Sequence, residues 1–134
     1  ASVVLFAYEY NNASRIAYMN STEEAPADSW MGWSRGRWEG DTLVVDVTGL
    51  RDDTWFDRAG NFHSDALHVV ERYTMLDADH ISYAVTVEDP KVFARPWNMS
   101  MILYRHREAN AQLLEYECYG FDVEKYYPYP ELNR

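Results

Sequence analysis

Ser34-Arg35-Gly36-Arg37-Trp38-Glu39, then Gly40-Asp41, then Thr42-Leu43-Val44-Val45-Asp46-Val47-Thr48 is the stretch on which the fold turns. Gly-Asp between two strand-like arms is a two-residue hairpin signal, because glycine takes the positive φ that such a turn requires. The returning arm is dominated by β-branched residues, which pack well on a pleated surface and poorly in a helix. Successive side chains of a strand alternate faces, so Leu43, Val45 and Val47 share one side, opposite Val44, Asp46 and Thr48.

The pattern repeats outward in both directions. Upstream, residues 2–10 carry Val, Leu, Phe and Tyr, Asn11-Asn12 is a turn signal, and Arg15 to Met19 reads as the returning partner. The polar stretch from Asn20 to Asp28, with Pro26, reads as a loop. Downstream, Leu67 to Met75 and His80 to Glu88 form a second strand pair around Asp77-Ala78-Asp79. Ile81, Tyr83, Val85 and Val87 alternate cleanly with Ser82, Ala84, Thr86 and Glu88. Asp89-Pro90 ends that strand, Trp97 to Tyr104 supplies another, and Gln112 to Tyr119 the last. Ser64 to Tyr73 is the best helical candidate, but Val69-Val70 and the alternation favour a strand. The expectation is an all-β, antiparallel domain of about eight strands over residues 1–121, arranged as a lipocalin-like up-and-down barrel, with a β-sandwich as the alternative. Residues 122–134, with Tyr126-Tyr127-Pro128-Tyr129-Pro130, read as an extended arm, a floppy terminus or a contact with a neighbouring subunit.

Composition bounds the function. At 134 residues the chain has the length of one domain, large enough to bury a core without disulfide or metal. A net charge of −10, from 22 acidic and 12 basic residues, repels nucleic acid and anionic lipid, so neither is expected as a partner. No run approaches the 18 or so apolar residues of a membrane span. The single Cys118 excludes an internal disulfide and reads as a buried thiol rather than a nucleophile. Aromatic residues make up 16% of the chain, and composition alone does not divide them between core and binding surface. The chain opens inside a strand, which suggests a missing upstream segment.

Chemistry concentrates in residues 49–66, a connection long enough to be functional or disordered, with Trp55, Phe56 and Phe62 to anchor it. Titratable groups beside aromatic walls are the ingredients of a shifted pKa and a small-ligand site. In the acid–base reading His63 or His68 carries the proton, Asp57 or Glu71 orients it, and Arg58 or Arg72 stabilises developing negative charge. In the structural reading Asp57–Arg58 and Glu71–Arg72 are ion pairs bracing the loop. Trp38, Trp55, Phe62, Tyr73 and Trp97 are candidate ligand-binding residues or, equally, large members of a β core. A metal held by His63 and His68, with Asp57, Asp65 or Glu71 completing the shell, is an alternative that matches no compact spacing motif. No cofactor is expected: Gly32-Trp33-Ser34-Arg35-Gly36 lacks the Lys-Ser/Thr of a phosphate cradle, and Ser64 lacks a nucleophile elbow.

Several stretches also carry a resemblance. Gly36 to Asp46, Thr54 to Tyr73, Val87 to Phe93 with Arg95-Pro96-Trp97, and Leu113 to Cys118 resemble a large group of uncharacterised bacterial proteins, usually exported, across most of residues 30–120. Members typically carry a signal peptide and a further N-terminal segment, so the resemblance implies an exported protein, periplasmic or extracellular, seen without its front end. The tyrosine-rich tail departs from the group. The group has no established activity. The leading expectation is therefore an exported barrel that binds a small apolar or aromatic molecule near loop 52–65, with isomerase- or cyclase-like proton transfer as an extension. The competing one is a self-assembling, homo-oligomeric protein that uses its aromatic surfaces and C-terminal arm.

Overall fold

The computed structural model describes residues 2–57 and 59–114. They form β1 (Val3–Ala7), β2 (Ser14–Met19), β3 (Trp33–Glu39), β4 (Thr42–Thr48), β5 (His68–Met75), β6 (His80–Glu88) and β7 (Trp97–Tyr104), with no helix among the described residues. The seven strands make one sheet in chain order, curled into a half-barrel of the open, lipocalin-like kind. The central hairpin forms as its sequence dictates, pairing Trp38 with Leu43 and Ser34 with Val47 around Gly40 at φ 59°. At the first hairpin Asn11 and Asn12 both take positive φ and the Ala13 amide donates to the Tyr10 carbonyl at 3.2 Å, which closes the turn.

One pairing departs from the expected meander: β2 and β3 are parallel, with Ala17 opposite Ser34 and Met19 opposite Gly36. Parallel neighbours need a crossover of about a dozen residues. The polar stretch after Asn20 supplies it, carrying the chain back before β3 begins. Gly36 permits the close approach, since a Cβ there would lie 2.5 Å from Met19 Sδ. Of the proposed eighth strand, residues 112–114 join no ladder and the remainder, Cys118 included, lies outside the described residues, as does the arm. The Leu114 amide reaches the Glu9 carboxylate at 2.9 Å, so the chain beyond β7 returns towards β1.

Paired residues share a face, and the register therefore defines the concave side: Val4, Phe6, Arg15, Ala17, Ser34, Leu43, Val45, Val47, Val69, Glu71, Tyr73, Tyr83, Val85 and Val87. Its apolar members gather into two clusters, Ala17 with Leu43, Val45 and Val47, and Leu67 with Val85 and Val87. Each fully buried aliphatic side chain contributes roughly 1.5–3 kcal/mol. Leu50 and Val69 touch both clusters and join them. Strands β1, β4 and β6 finish at one end of the half-barrel, and that end collects the first hairpin tip, the approach to β3, residues 49–67 and the turn after β6.

Candidate functional site

The long connection after β4 is ordered by pins on both sides. Gly49, at φ 65°, brings the chain so close to the crossover that a Cβ would sit 2.6 Å from Ala25 Cβ. Ser29 and Gly49–Arg51 then exchange backbone bonds of 2.9 and 3.1 Å. Trp55 and Phe62 form an antiparallel bridge, and the Phe56 amide donates to the Asn61 carbonyl at 2.7 Å, making a miniature hairpin. Beyond it, Asp89 is 1% exposed and accepts the Ser64 amide and hydroxyl, both at 2.7 Å, and the Lys91 amide at 3.1 Å. Burial opposes charge on Asp89, but these donors outweigh it and hold the carboxyl below its usual range. Phe56 packs edge-on against Phe93 and Trp97, tying the miniature hairpin to the second core cluster.

Between these pinned segments lies a cleft of about 780 Å³. Its walls are the hairpin tip (Tyr10, Asn11, Ala13, Ser14), Trp30 and Met31, and the loop residues Leu50, Thr54, Trp55, Phe56 and His63, with Leu67 and Val69 below. Trp55, 77% exposed, and Trp30, 65% exposed, stand at its rim, and the Arg51 guanidinium lies 4.8 Å from the Trp30 ring centre. His63 is 2% exposed. Its Nδ1 lies 3.1 Å from the Ser64 carbonyl and its Nε2 lies 2.6 Å from Thr54 Oγ1. A carbonyl only accepts, so in the neutral imidazole Nδ1 carries the proton and Nε2 presents its lone pair to the threonine hydroxyl.

A second polar constellation occupies the concave face. Glu71 is buried and forms an ion pair with Arg15, while Tyr73 donates to it at 3.0 Å and Tyr83 at 2.8 Å. Arg15 also donates to the Tyr8 hydroxyl at 2.9 Å and lies 4.7 Å from the Phe6 ring centre. Burial first, and the Glu71 charge second, push the Tyr73 and Tyr83 phenols well above their ordinary range. The phenols therefore stay protonated and keep donating.

The groups expected to converge at the loop are separated. His63 lines the cleft, but Asp57 sits at the exposed tip of the miniature hairpin. There its carboxylate braces its own turn by accepting from Ala59 N at 2.8 Å, Asn61 N at 3.2 Å and Asn61 Nδ2 at 2.6 Å. His68 and Arg72 lie on the convex face, where His68 Nε2 meets Asp46 Oδ2 at 3.0 Å and Arg72 donates to Glu39 at 2.8 Å. Arg72 and Arg37 flank the buried Val44 and share Glu39, so the charged stems shelter an apolar side chain. Glu71 faces inward, on the opposite side of β5 from His68, because the two are an odd number of residues apart. Arg58 lies outside the described residues. Among the described residues no three potential metal ligands gather, and His63 stands in the cleft wall while His68 meets Asp46 on the convex face.

Among the aromatic candidates, Trp55 reaches the cleft. Phe62 stands opposite it, largely exposed, Tyr73 belongs to the Glu71 hub, and Trp97 packs in the second core cluster. Trp38 is 61% exposed on β3 away from the cleft. Sequence reading passed over Thr54, Arg15, Tyr83 and Asp89. An Asp immediately before Pro90 and a single Arg on an otherwise apolar strand face were the available signals for two of them. Comparisons with protein-family models, with curated proteins and with solved structures find no match to this chain.

Proposed function

We propose that this domain binds a small apolar or aromatic molecule in the cleft at the loop end of the half-barrel. The observation that carries this reading is the cleft itself, about 780 Å³ in volume and walled mainly by apolar and aromatic side chains, with a few polar groups at fixed points. Ligand sites run from about 300 to 1,000 Å³ with that kind of lining. The pins at Gly49 and Asp89 support it further, because a wall already ordered loses little freedom on binding. Export to the periplasm or beyond is part of the proposal and rests on the sequence resemblance alone.

The test is a titration of the protein with 1-anilinonaphthalene-8-sulfonate, read by energy transfer from tryptophan, with Trp55→Ala and Ala13→Trp as variants. Trp55→Ala removes a rim ring and weakens binding by about fivefold or more, in line with ~1 kcal/mol for an aromatic contact. Ala13→Trp fills the cleft and abolishes binding. Unchanged affinity in both variants defeats the proposal.

Self-association is the second reading, favoured by β7. Among the described residues β7 is an edge strand, and Met99, Met101, Ile102 and Leu103 are exposed along it. A monomeric mass by light scattering across a concentration series removes it.

A further inference from the structure

The cleft wall holds a hydroxyl, an imidazole and a main-chain carbonyl in series. We propose that Thr54 is a nucleophile activated by His63, and that it accepts the acyl group of an ester of a small apolar or aromatic acid bound in the cleft. The inference rests on the binding reading above and adds a reaction to it.

A hydroxyl within hydrogen-bond reach of a base, with that base oriented by a third group, is the arrangement of an activated nucleophile. Here the distances are 2.6 Å from Thr54 Oγ1 to His63 Nε2 and 3.1 Å from His63 Nδ1 to the Ser64 carbonyl. The threonine proton has a second acceptor, the Arg51 carbonyl at 3.1 Å. A hydroxyl has one rotatable proton, and the rotamer that turns it from the Arg51 carbonyl to the imidazole is the reactive one. His63 is buried in the cleft wall, whereas Thr54 is only half-buried and lines the cleft, where ester and water can reach it. Both ends of the pair are fixed. Ser29 grips the chain at Arg51, three residues before Thr54, and Asp89 grips Ser64, the residue that orients the ring. Such a pair needs no rearrangement before reaction.

The step balances without any further reactant than water. Thr54 Oγ1 bonds to the acyl carbon as its proton passes to His63 Nε2. The bond from that carbon to the alcohol oxygen breaks, and the departing oxygen takes the proton from Nε2. Water then attacks the acyl-threonine, giving a proton to Nε2, which returns it to Oγ1 as the acid leaves. Aryl esters suit the site best, because phenolate departs readily and its ring matches the Trp30 and Trp55 rim.

The experiment treats the full chain with para-nitrophenyl acetate and para-nitrophenyl benzoate. It follows nitrophenol release and maps acylated peptides by mass spectrometry in the wild type, Thr54→Val and Thr54→Ser. The expected result is acylation at position 54 in the wild type and in Thr54→Ser. In Thr54→Val, with its β-sheet circular dichroism intact, release slows by roughly 100-fold or more, the scale of a positioned general base. Release as fast in Thr54→Val as in the wild type overturns the proposal. So does a wild type that carries acyl groups on lysines but none at position 54. If Thr54→Val does not fold, Thr54→Ser decides, since an unacylated position 54 there also overturns it. A wild type that binds the naphthalene probe without acyl transfer removes this inference alone, and one that does neither removes the binding reading as well.

Discussion

The Arg15–Glu71 hub and the His63 wall are both buried polar groups, and they are built on opposite plans. The hub is assembled from side chains on β2, β5 and β6, with Tyr8 just beyond β1. Its charges cancel, and both oxygens of Glu71 are occupied, one by Arg15 and the other by two phenols. The His63 wall belongs to a loop, carries no carboxylate partner among the described residues, and ends in a hydroxyl facing a cleft. A closed, neutral network ties distant strands across the concave face and fixes their register. An open-ended one leaves a lone pair aligned on something that can be used.

The largest expected effect tests the first half of that contrast. Arg15→Met leaves Glu71 charged, buried and short of its ion-pair partner, and truncating one side of a buried pair costs about 3–5 kcal/mol. Urea unfolding measures it. The double variant Arg15→Met/Glu71→Leu removes both charges together and returns only part of that loss, because the desolvated ion is gone but the Tyr73 and Tyr83 hydroxyls lose their acceptor. A single variant costing less than about 1 kcal/mol, the range of an exposed pair, would mean that the hub is open to water and that the contrast is mistaken.

Much of the sheet was legible because its causes are local. The Gly40-Asp41 turn, the β-branched run of β4 and the alternation of β6 each act within a few residues, and their boundaries match to within a residue or two. The parallel β2–β3 pairing was not legible, since pairing direction is decided by where the crossover carries the chain and not by the strand sequences. Of the candidate residues, His63 and Trp55 line the cleft, and they stood out because titratable and aromatic groups cluster in sequence. Glu71 and Tyr73 lie instead in the hub on the concave face: their partner Arg15 lies 56 positions away from Glu71, beyond the reach of any local pattern. His68 was misplaced by parity alone. Thr54 was passed over because a threonine has no signature until a base stands beside it.

A smaller effect probes how the loop is held. Asp89→Asn keeps the shape of the side chain but removes the charge that Ser64 and Lys91 donate to, and hydrogen bonds to charged groups contribute about 1.5–3 kcal/mol. The folded protein holds this carboxyl below its ordinary value of 3.8, so its contribution is fully present above that pH and is lost as the pH falls through the depressed folded value. The stability gap between wild type and Asp89→Asn is therefore full at neutral pH and narrows below about pH 3.8. A gap that instead widens on acidification would mean that burial outweighs the donors and holds the folded carboxyl above its unfolded value.

The smallest expected effect is the sharpest test of what orients His63. Asp57 is the carboxylate that sequence proximity nominates for that task, six residues before the imidazole. Its oxygens are spent on Ala59 and Asn61 at the exposed tip of the miniature hairpin. A neutral side-chain amide at this position keeps an oxygen for the turn amides. Asp57→Asn is therefore expected to leave nitrophenol release and naphthalene-probe binding within about twofold of the wild type, as surface substitutions away from buried features usually do. A tenfold loss of release with binding intact would mean that a carboxylate, not the Ser64 carbonyl, sets the imidazole tautomer during turnover. The cleft wall would then depend on a carboxylate partner, closer in design to the hub.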